Sequence, residues 1–225
     1  MTTKYHALVL SDLHLGSPIC QAELIVKTLH DYEYDKLIIN GDLLDSYHLH
    51  RLCKKQWKVL SELRKISKDK ECIFITGNHE GHCEIISTLL GFNFVKEHTE
   101  KIGDKSIHFT HGDMFDSFIQ NQPIITELAS GVYFYLQKID KKQKYTRKIK
   151  KMIKTWKNAS DVLAKKACKW ANQLEYDTII LGHTHIAHHE IIDNVEYVNL
   201  GSQCDLPVTH ALIDCSGIIS LKYLE

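Results

Sequence analysis

The chain has 225 residues, with 28 Lys and Arg against 28 Asp and Glu; its length fits one α/β domain with an insertion, and 44% hydrophobic residues with 3 Pro and 11 Gly exclude a disordered or fibrous chain. A charge or His breaks every apolar stretch before the ~18–20 residues of a transmembrane helix, and the first run, Ala7 to Leu10, is shorter than the ~7–15 residues of a secretory signal core. Seven Cys without a C-x-x-C pair argue against a disulfide framework or a structural zinc site, so the expectation is a cytoplasmic protein with reduced, buried thiols.

In chain order, short apolar runs each lead into a small polar cluster. Ala7–Leu10 precedes Ser11-Asp12-Leu13-His14, Lys36–Ile39 precedes Asn40-Gly41-Asp42, and Cys72–Ile75 precedes Thr76-Gly77-Asn78-His79. Ile107–Phe109 precedes Thr110-His111-Gly112-Asp113, and Thr178–Leu181 precedes Gly182-His183-Thr184-His185. Runs of this length with little polar alternation predict strands buried on both faces. Leu24, Lys27 and Thr28 to Tyr32 predict a helix after the first strand, and Trp57, Leu60 and Leu63 to Ile66 one before the third. Strand–helix alternation predicts a layered α/β fold. The later runs Glu196–Asn199, Ala211–Ile213 and Ile218–Leu224 have no intervening helices and predict an antiparallel continuation.

The insertion between the fourth and fifth clusters differs. Val132, Tyr135, Leu136 and Ile139 form one helical stripe; Tyr145, Ile149, Met152, Ile153 and Trp156 form a second; Leu163, Ala167, Trp170 and Leu174 form a third. They predict a helical cap over about residues 115–175, projecting from or lying across the core of a single domain spanning 1–225. Lys138 to Lys169 holds 13 basic residues against Asp140 and Asp161, so this stretch is strongly positive and the rest of the chain strongly negative.

Ligands in open α/β sheets bind outside the carboxyl ends of strands. Those ends carry Asp12, His14, Asp42, Asn78, His111, His183 and His185, all oxygen or imidazole donors and none a thiolate. One His at a strand end is ordinarily a satisfied polar residue. Donors at every one of these ends are a set large enough for two divalent ions with one bridging carboxylate.

D-x-H (Asp12, His14), G-D-x-x-D (Gly41, Asp42, Asp45), G-N-H-E (Gly77 to Glu80), H-G-D (His111 to Asp113) and G-H-x-H (Gly182 to His185) resemble the calcineurin-type metallophosphoesterases, in family order and on both sides of the cap. The resemblance implies an α/β, four-layer fold, a β-sandwich flanked by helices, with a dinuclear metal centre. It assigns Asp12, His14, Asp42 and His185 to one ion, and the bridging Asp42 with Asn78, His111 and His183 to the other. Two ions ~3.5–4 Å apart clamp a phosphoryl oxygen and supply a bridging hydroxide near neutral pH. His79 then stands as the acid for the leaving group, with the Asp45 carboxylate orienting its imidazole. The donor set suits Mn²⁺ first, with Fe²⁺ and Zn²⁺ as alternatives.

Within the family, S-D-L-H-L-G-S, C-Q-A-E-L and H-G-D-x-F-D resemble the UDP-2,3-diacylglucosamine diphosphatase-like branch, which cleaves a pyrophosphate. Established diphosphatases have Arg-Asp where this chain has His79-Glu80. The resemblance implies a phosphodiester or pyrophosphate substrate, a nucleotide-linked lipid among the candidates. The basic cap suits peripheral contact with the inner membrane face, a nucleic-acid backbone, or plain solvation. Alternatives are a phosphomonoesterase or protein phosphatase, although these carry an Arg where Ser46 follows Asp45; a nuclease using the cap; and a non-catalytic scaffold. Asn199–Ser202 resembles the family's closing loop and is expected to line the site; His48, His50 and His82, near the motif loops, are expected at the surface, with contact to a substrate phosphate as the alternative, and His188 and His189 at an edge or the surface.

Overall fold

In the computed structural model, residues 3–46, 48–79, 84–116 and 154–225 are described, with side chains from 158 onward in the last stretch. The first helical stripe of the expected cap and the second as far as Ile153, with Glu80 and His82, lie outside the described residues.

The apolar runs are strands with two buried faces. In β1 (Lys4–Leu10), Leu8 and Leu10 point one way and Ala7 and Val9 the other, and all four are fully buried. The parallel strands β2 (Glu33–Asn40), β3 (Glu71–Ile75) and β4 (Asn93–Val95) extend the sheet on one side of β1. On its other side, β10 (Val208–Ile213) and β11 (Ile219–Leu224) pair antiparallel, giving the order β11-β10-β1-β2-β3-β4. The second sheet comprises β5 (His98–Ile102), β6 (Lys105–Phe109), β7 (Thr178–Leu181), β8 (His188–Ile192) and β9 (Val195–Asn199), in the order β5-β6-β7-β9-β8. The expected antiparallel continuation is realised by β10 and β11. By contrast, β9 crosses to the second sheet and pairs parallel with β7. His188 and His189 do lie on an edge strand.

Four layers result. Helices α1 (Ala22–Asp31), α2 (Lys54–Ile66) and α3 (Glu84–Leu90) cover the outer face of the first sheet. There Ile25, Leu29, Val59 and Leu63 pack on Leu8, Leu10, Leu37, Ile39 and Phe74. Between the sheets, Ala7, Val9, Ile38 and Ile73 meet Ile107, Phe109, Ile180 and Val198. On the far face, α4 (Lys154–Gln173) lays Leu163, Ala164, Ala167, Cys168 and Ala171 on Ile179, Leu181 and Tyr197. The third stripe of the insertion therefore builds the fourth layer of the core. Its small residues let the helix approach the sheet closely.

The sequence places α2 by its ends and its stripe. Cys53 and Gln56 form a reciprocal capping box, and Gln56 Nε2 also donates to Ser17 O at 2.8 Å, tying the helix to the loop after β1. Gln56, Val59, Leu60, Leu63 and Ile66 are buried at helical spacing, whereas Trp57, expected on that face, is 49% exposed. Cys72, Cys168 and Cys204 are buried thiols, but Cys53 and Cys215 are exposed. No helix among the described residues is long and apolar enough to cross a membrane.

Candidate metal centre

β1, β2 and β3 run parallel in one sheet and β6 and β7 in the other, and the loops after their carboxyl ends meet: His111 Nδ1 lies 3.0 Å from Asn40 O, and His183 N donates to Asp12 Oδ2 at 3.0 Å. The loops after β1 and β2 continue pairing past their strands: Asp12 N donates to Gly41 O (3.1 Å), His14 N to Asp42 O (2.9 Å) and Asp45 N to Leu15 O (3.0 Å). Gly182 N donates to His111 O at 3.0 Å, joining the loops after β6 and β7. Two buried asparagines brace this floor. Asn40 Nδ2 donates to Thr110 O (3.0 Å) and Ile180 O (3.3 Å), crossing from one sheet to the other. Asn199 Nδ2 donates to Gly182 O at 2.6 Å. The Asn199–Ser202 segment is buried, and Asn199 holds the loop that carries His183 and His185.

Five of the expected ligands sit in left-handed backbone: Asp12 (φ 54°), His14 (43°), Asp42 (51°), His183 (65°) and His185 (58°). Such a conformation costs a non-glycine residue of order 1–3 kcal/mol and persists only where the surroundings impose it. It turns successive side chains of a short loop toward one point. The crowding also demands glycine at its centre: a Cβ at Gly182 would lie 1.9 Å from Ser11 Oγ and 2.4 Å from Asp12 Oδ2.

Two overlapping groups of donors result. His14 Nε2 and His185 Nε2 face each other at 3.1 Å, with Asp12 Oδ1 3.7 and 3.2 Å from them. Asp12 is fully buried and its Oδ1 makes no hydrogen bond, whereas Oδ2 accepts from Ser11 Oγ (2.5 Å) and His183 N (3.0 Å). Asp42 Oδ2 lies 3.3 Å from His111 Nε2, 3.6 Å from His14 Nε2 and 3.9 Å from His79 Nε2, while Oδ1 accepts from His79 N at 3.1 Å. Asn78 Oδ1 lies 3.2 Å from His111 Nε2 and 3.0 Å from His183 Nδ1. The sets Asp12–His14–His185, Asp12–Asp42–His111 and His14–Asp42–His79 each bring their donor atoms within 4.8 Å of one another.

Electrostatics follow from this convergence. Burial alone would push the Asp12 carboxyl up; His185, His14 and His111 outweigh it and hold Asp12 well below the usual carboxylate range. Burial likewise opposes ionisation of Asp42, and His111, His79 and His14 again prevail to lower it. His111 is driven the other way: burial disfavours its charge, but the carboxylates of Asp42 and Asp12 raise its pKa well above the ordinary value. Two buried carboxylates and facing imidazoles, with one carboxylate oxygen lacking a hydrogen-bond partner, are a donor set that fits divalent cations.

The surroundings of His79 and Asp45 differ from the expectation. His79 Nδ1 contacts the main-chain oxygen of Asp45 at 2.9 Å. The Asp45 carboxylate turns away, pairing with Arg51 Nη2 at 2.7 Å and standing 3.9 Å from His14 Nδ1. Asp45 thus stays beside His79, but through its backbone, because Arg51 offers the carboxylate a charged partner. His48 and His50 are exposed, with rings 5.4 Å apart. The sequence reading quoted Asp116 only as the last residue of H-G-D-x-F-D, with no role, and missed Asp205. Asp116 Oδ2 lies 3.1 Å from His183 Nε2, and Asp205 Oδ2 3.0 Å from His185 Nδ1.

Residues 5–187 match the family described as calcineurin-like phosphoesterase. Among curated proteins, none matches the chain. Among solved structures, it is similar to an archaeal protein described as a novel phosphodiesterase (16% identity, TM-score 0.55, covering 97% of this chain and 99% of that one). It is also similar to a hypothetical protein from Pyrococcus horikoshii OT3 (14% identity, TM-score 0.54, covering 99% and 88%) and to Yfce, a phosphoesterase from E. coli (17% identity, TM-score 0.50, covering 97% and 99%). At these identities the likeness establishes the four-layer fold, and the family match establishes the reaction class. With that match over residues 5–187 and its candidate metal-ligand groups, the chain belongs to the calcineurin-like phosphoesterase family, divalent-metal-dependent hydrolases of phosphoester bonds.

Proposed function

We propose that this chain hydrolyses a phosphodiester or pyrophosphate bond at a dinuclear centre, with Asp12, His14, Asp42 and His185 holding one ion and Asp42, Asn78, His111 and His183 the other. The observation that carries the reading is Asp42: a single oxygen, Oδ2, faces His14 at 3.6 Å on one side and His111 at 3.3 Å on the other. Bound there, two divalent ions supply Lewis acidity toward a phosphoryl oxygen and a water acidic enough to ionise near neutral pH. Mn²⁺ is the first choice, with Fe²⁺ and Zn²⁺ as alternatives.

The chain's own groups account for the rest. Asp12 and Asp42 are held ionised by their imidazole neighbours, so the centre keeps its negative charge. A carbonyl oxygen only accepts, so His79 Nδ1 carries a proton for Asp45 O. In the imidazolium form, Nε2 carries the second proton, available to the departing oxygen. His79 is half-buried and its ring stands edge-on to His14 with centroids 4.8 Å apart, which fixes its plane.

A diester or pyrophosphate is favoured over a monoester by Arg51. Its guanidinium is engaged by the Asp45 carboxylate and by Ser46 Oγ (3.1 Å), so it is not presented to a terminal phosphate dianion. The motifs Ser11–Ser17 and His111–Asp116 carry the narrower candidate, a nucleotide-linked lipid met at a membrane face by the basic segment. Metal analysis paired with hydrolysis of bis-p-nitrophenyl and p-nitrophenyl phosphate in Mn²⁺ tests the reading. Two ions per chain and preference for the diester are expected. Preference for the monoester moves a phosphatase to the front, and absence of both metal and turnover overturns the reading.

A further inference from the structure

Two thiols that the chemistry above does not use stand on loops that build the centre. Cys20 lies in the loop between β1 and α1, and Cys204 in the loop between β9 and β10. Gln21 N donates to Gln203 O at 3.1 Å, so the main chain beside one cysteine is bonded to the main chain beside the other, and their Cα atoms stand at most about 8 Å apart. Cys204 is buried, and its Sγ donates to Leu13 O at 3.4 Å. Cys20 is half-buried, packs on the apolar cluster that contains Leu13 and Leu15, and is a side-chain neighbour of Cys204. A disulfide spans ~4.4–6.8 Å between Cα atoms, a separation this pairing allows. We propose that Cys20 and Cys204 form a redox site: a peroxide joins them in a disulfide, a thiol reductant parts them, and the link weakens the metal centre; the last part rests on the metal-centre reading above.

Cys20 is the thiol that a peroxide reaches first, because Cys204 is sealed from solvent. Burial and the neighbouring Cys20 thiol also hold the Cys204 pKa well above its ordinary value, so Cys204 stays a thiol until its partner is oxidised. Hydrogen peroxide transfers one oxygen to Cys20 Sγ, giving a sulfenic acid and one water. Cys204 Sγ then bonds to Cys20 Sγ, the sulfur–oxygen bond breaks, and the departing hydroxide takes the Cys204 proton as a second water. Two electrons pass from the two sulfurs to the peroxide, and a dithiol returns them. Once its proton is gone, Cys204 no longer donates to Leu13 O, which lies between Asp12 and His14. The residues on either side of Cys204 also reach the centre: Gln203 N donates to Asp12 O at 3.1 Å, and Asp205 Oδ2 lies 3.0 Å from His185 Nδ1. Drawing Cys204 toward Cys20 therefore pulls on the supports of Asp12, His14 and His185 together.

Mass spectrometry of the full-length, metal-free protein tests the site: the chain is treated with hydrogen peroxide, remaining thiols are blocked with N-ethylmaleimide, and the product is digested. A linked pair of peptides carrying Cys20 and Cys204 is expected, lost on treatment with dithiothreitol and absent from Cys20→Ser. Mn²⁺ titration followed calorimetrically should then show affinity roughly 10-fold or more weaker in the oxidised protein and restored by dithiothreitol. Cys20→Ser should bind Mn²⁺ as the untreated protein does, before and after peroxide. If Cys20 and Cys204 are recovered as separately blocked thiols, or Cys20 only as sulfinic acid or bonded to another cysteine, the redox site is wrong. If the linked pair forms and Mn²⁺ affinity does not change, its control of the metal centre is wrong. If the untreated protein binds no Mn²⁺, that control falls together with the metal-centre reading, and the linked peptides alone decide the disulfide.

Discussion

His79 is oriented by the main chain of Asp45: its Nδ1 lies 2.9 Å from the Asp45 carbonyl oxygen, while the Asp45 carboxylate pairs with Arg51 at 2.7 Å. The distinction has kinetic consequences. His79→Ala should lower turnover of substrates with poor leaving groups by roughly 10²–10⁴-fold with little change in bound metal, the usual size of a lost general acid. Asp45→Asn keeps the carbonyl and should cost less than about a tenth of the His79→Ala effect on a logarithmic scale in which that loss is the whole. Steady-state rates against diesters of graded leaving-group pKa decide it; equal losses in the two variants would mean the carboxylate acts on His79 after all.

In the proposed centre, Asp42 is the ligand common to both ions. Asp42→Ala should abolish metal binding and turnover together, because it removes the oxygen that faces His14 and His111 and leaves His111 buried without its counter-charge. Metal content of the purified variant, measured beside its activity, checks this. Retention of both ions would show that Asp42 is not the bridge.

Gly182 should tolerate no side chain. Its added Cβ would fall 1.9 Å from Ser11 Oγ and 2.4 Å from Asp12 Oδ2, so Gly182→Ala must displace the Asp12 loop. Destabilisation of about 1–3 kcal/mol is expected, with loss of metal affinity greater than the loss of stability alone explains. Urea unfolding and metal titration on the same sample separate the two; a variant with unaltered affinity would contradict the account.

Much of this was legible in the sequence because buried parallel strands are written as uninterrupted apolar runs and their ends as polar clusters. The edge strands β4, β5 and β8 were not. β5 reads His-Thr-Glu-Lys-Ile, and its Glu100 is satisfied by Lys36 at 2.6 Å and His6 at 3.0 Å across the sandwich, contacts with no local trace. In α3 only seven residues are available, and Ile85 and Leu89 are exposed while Ser87 is buried, so its periodicity misleads. The place of Asp205, and what Asp116 at the end of H-G-D-x-F-D faces, were illegible for a related reason. Each faces a histidine brought to it by the loop after β7, a pairing with no local trace. The residues read as candidate ligands converge in the fold because each follows closely after a strand.

Two histidines outside the site should make the fold sensitive to acid. His210 on β10 is fully buried beside Tyr32, and neither ring nitrogen has a hydrogen-bond partner. Burial, aided by Lys222 on β11 and opposed by Asp31, pulls its pKa down to about 4. Burial and His98 pull His108, stacked on Tyr176, down to about 4 as well. The unfolded chain takes up these protons near 6.5, the folded one not until about 4. Their stabilising contribution is therefore complete above pH 6.5 and lost as pH falls toward 4, up to roughly 3 kcal/mol each. His210→Phe should flatten the fall in unfolding free energy between pH 7 and 4.5; an unchanged slope would mean His210 is not the group that titrates.

The central claim is that one carboxylate joins two ions. Crystals grown with Mn²⁺ and measured at an energy where manganese scatters anomalously test it directly. Two peaks should appear, one among Asp12, His14 and His185 and one among Asn78, His111 and His183, with Asp42 between them. A single peak, or two peaks that leave Asp42 outside the coordination of either, would contradict it.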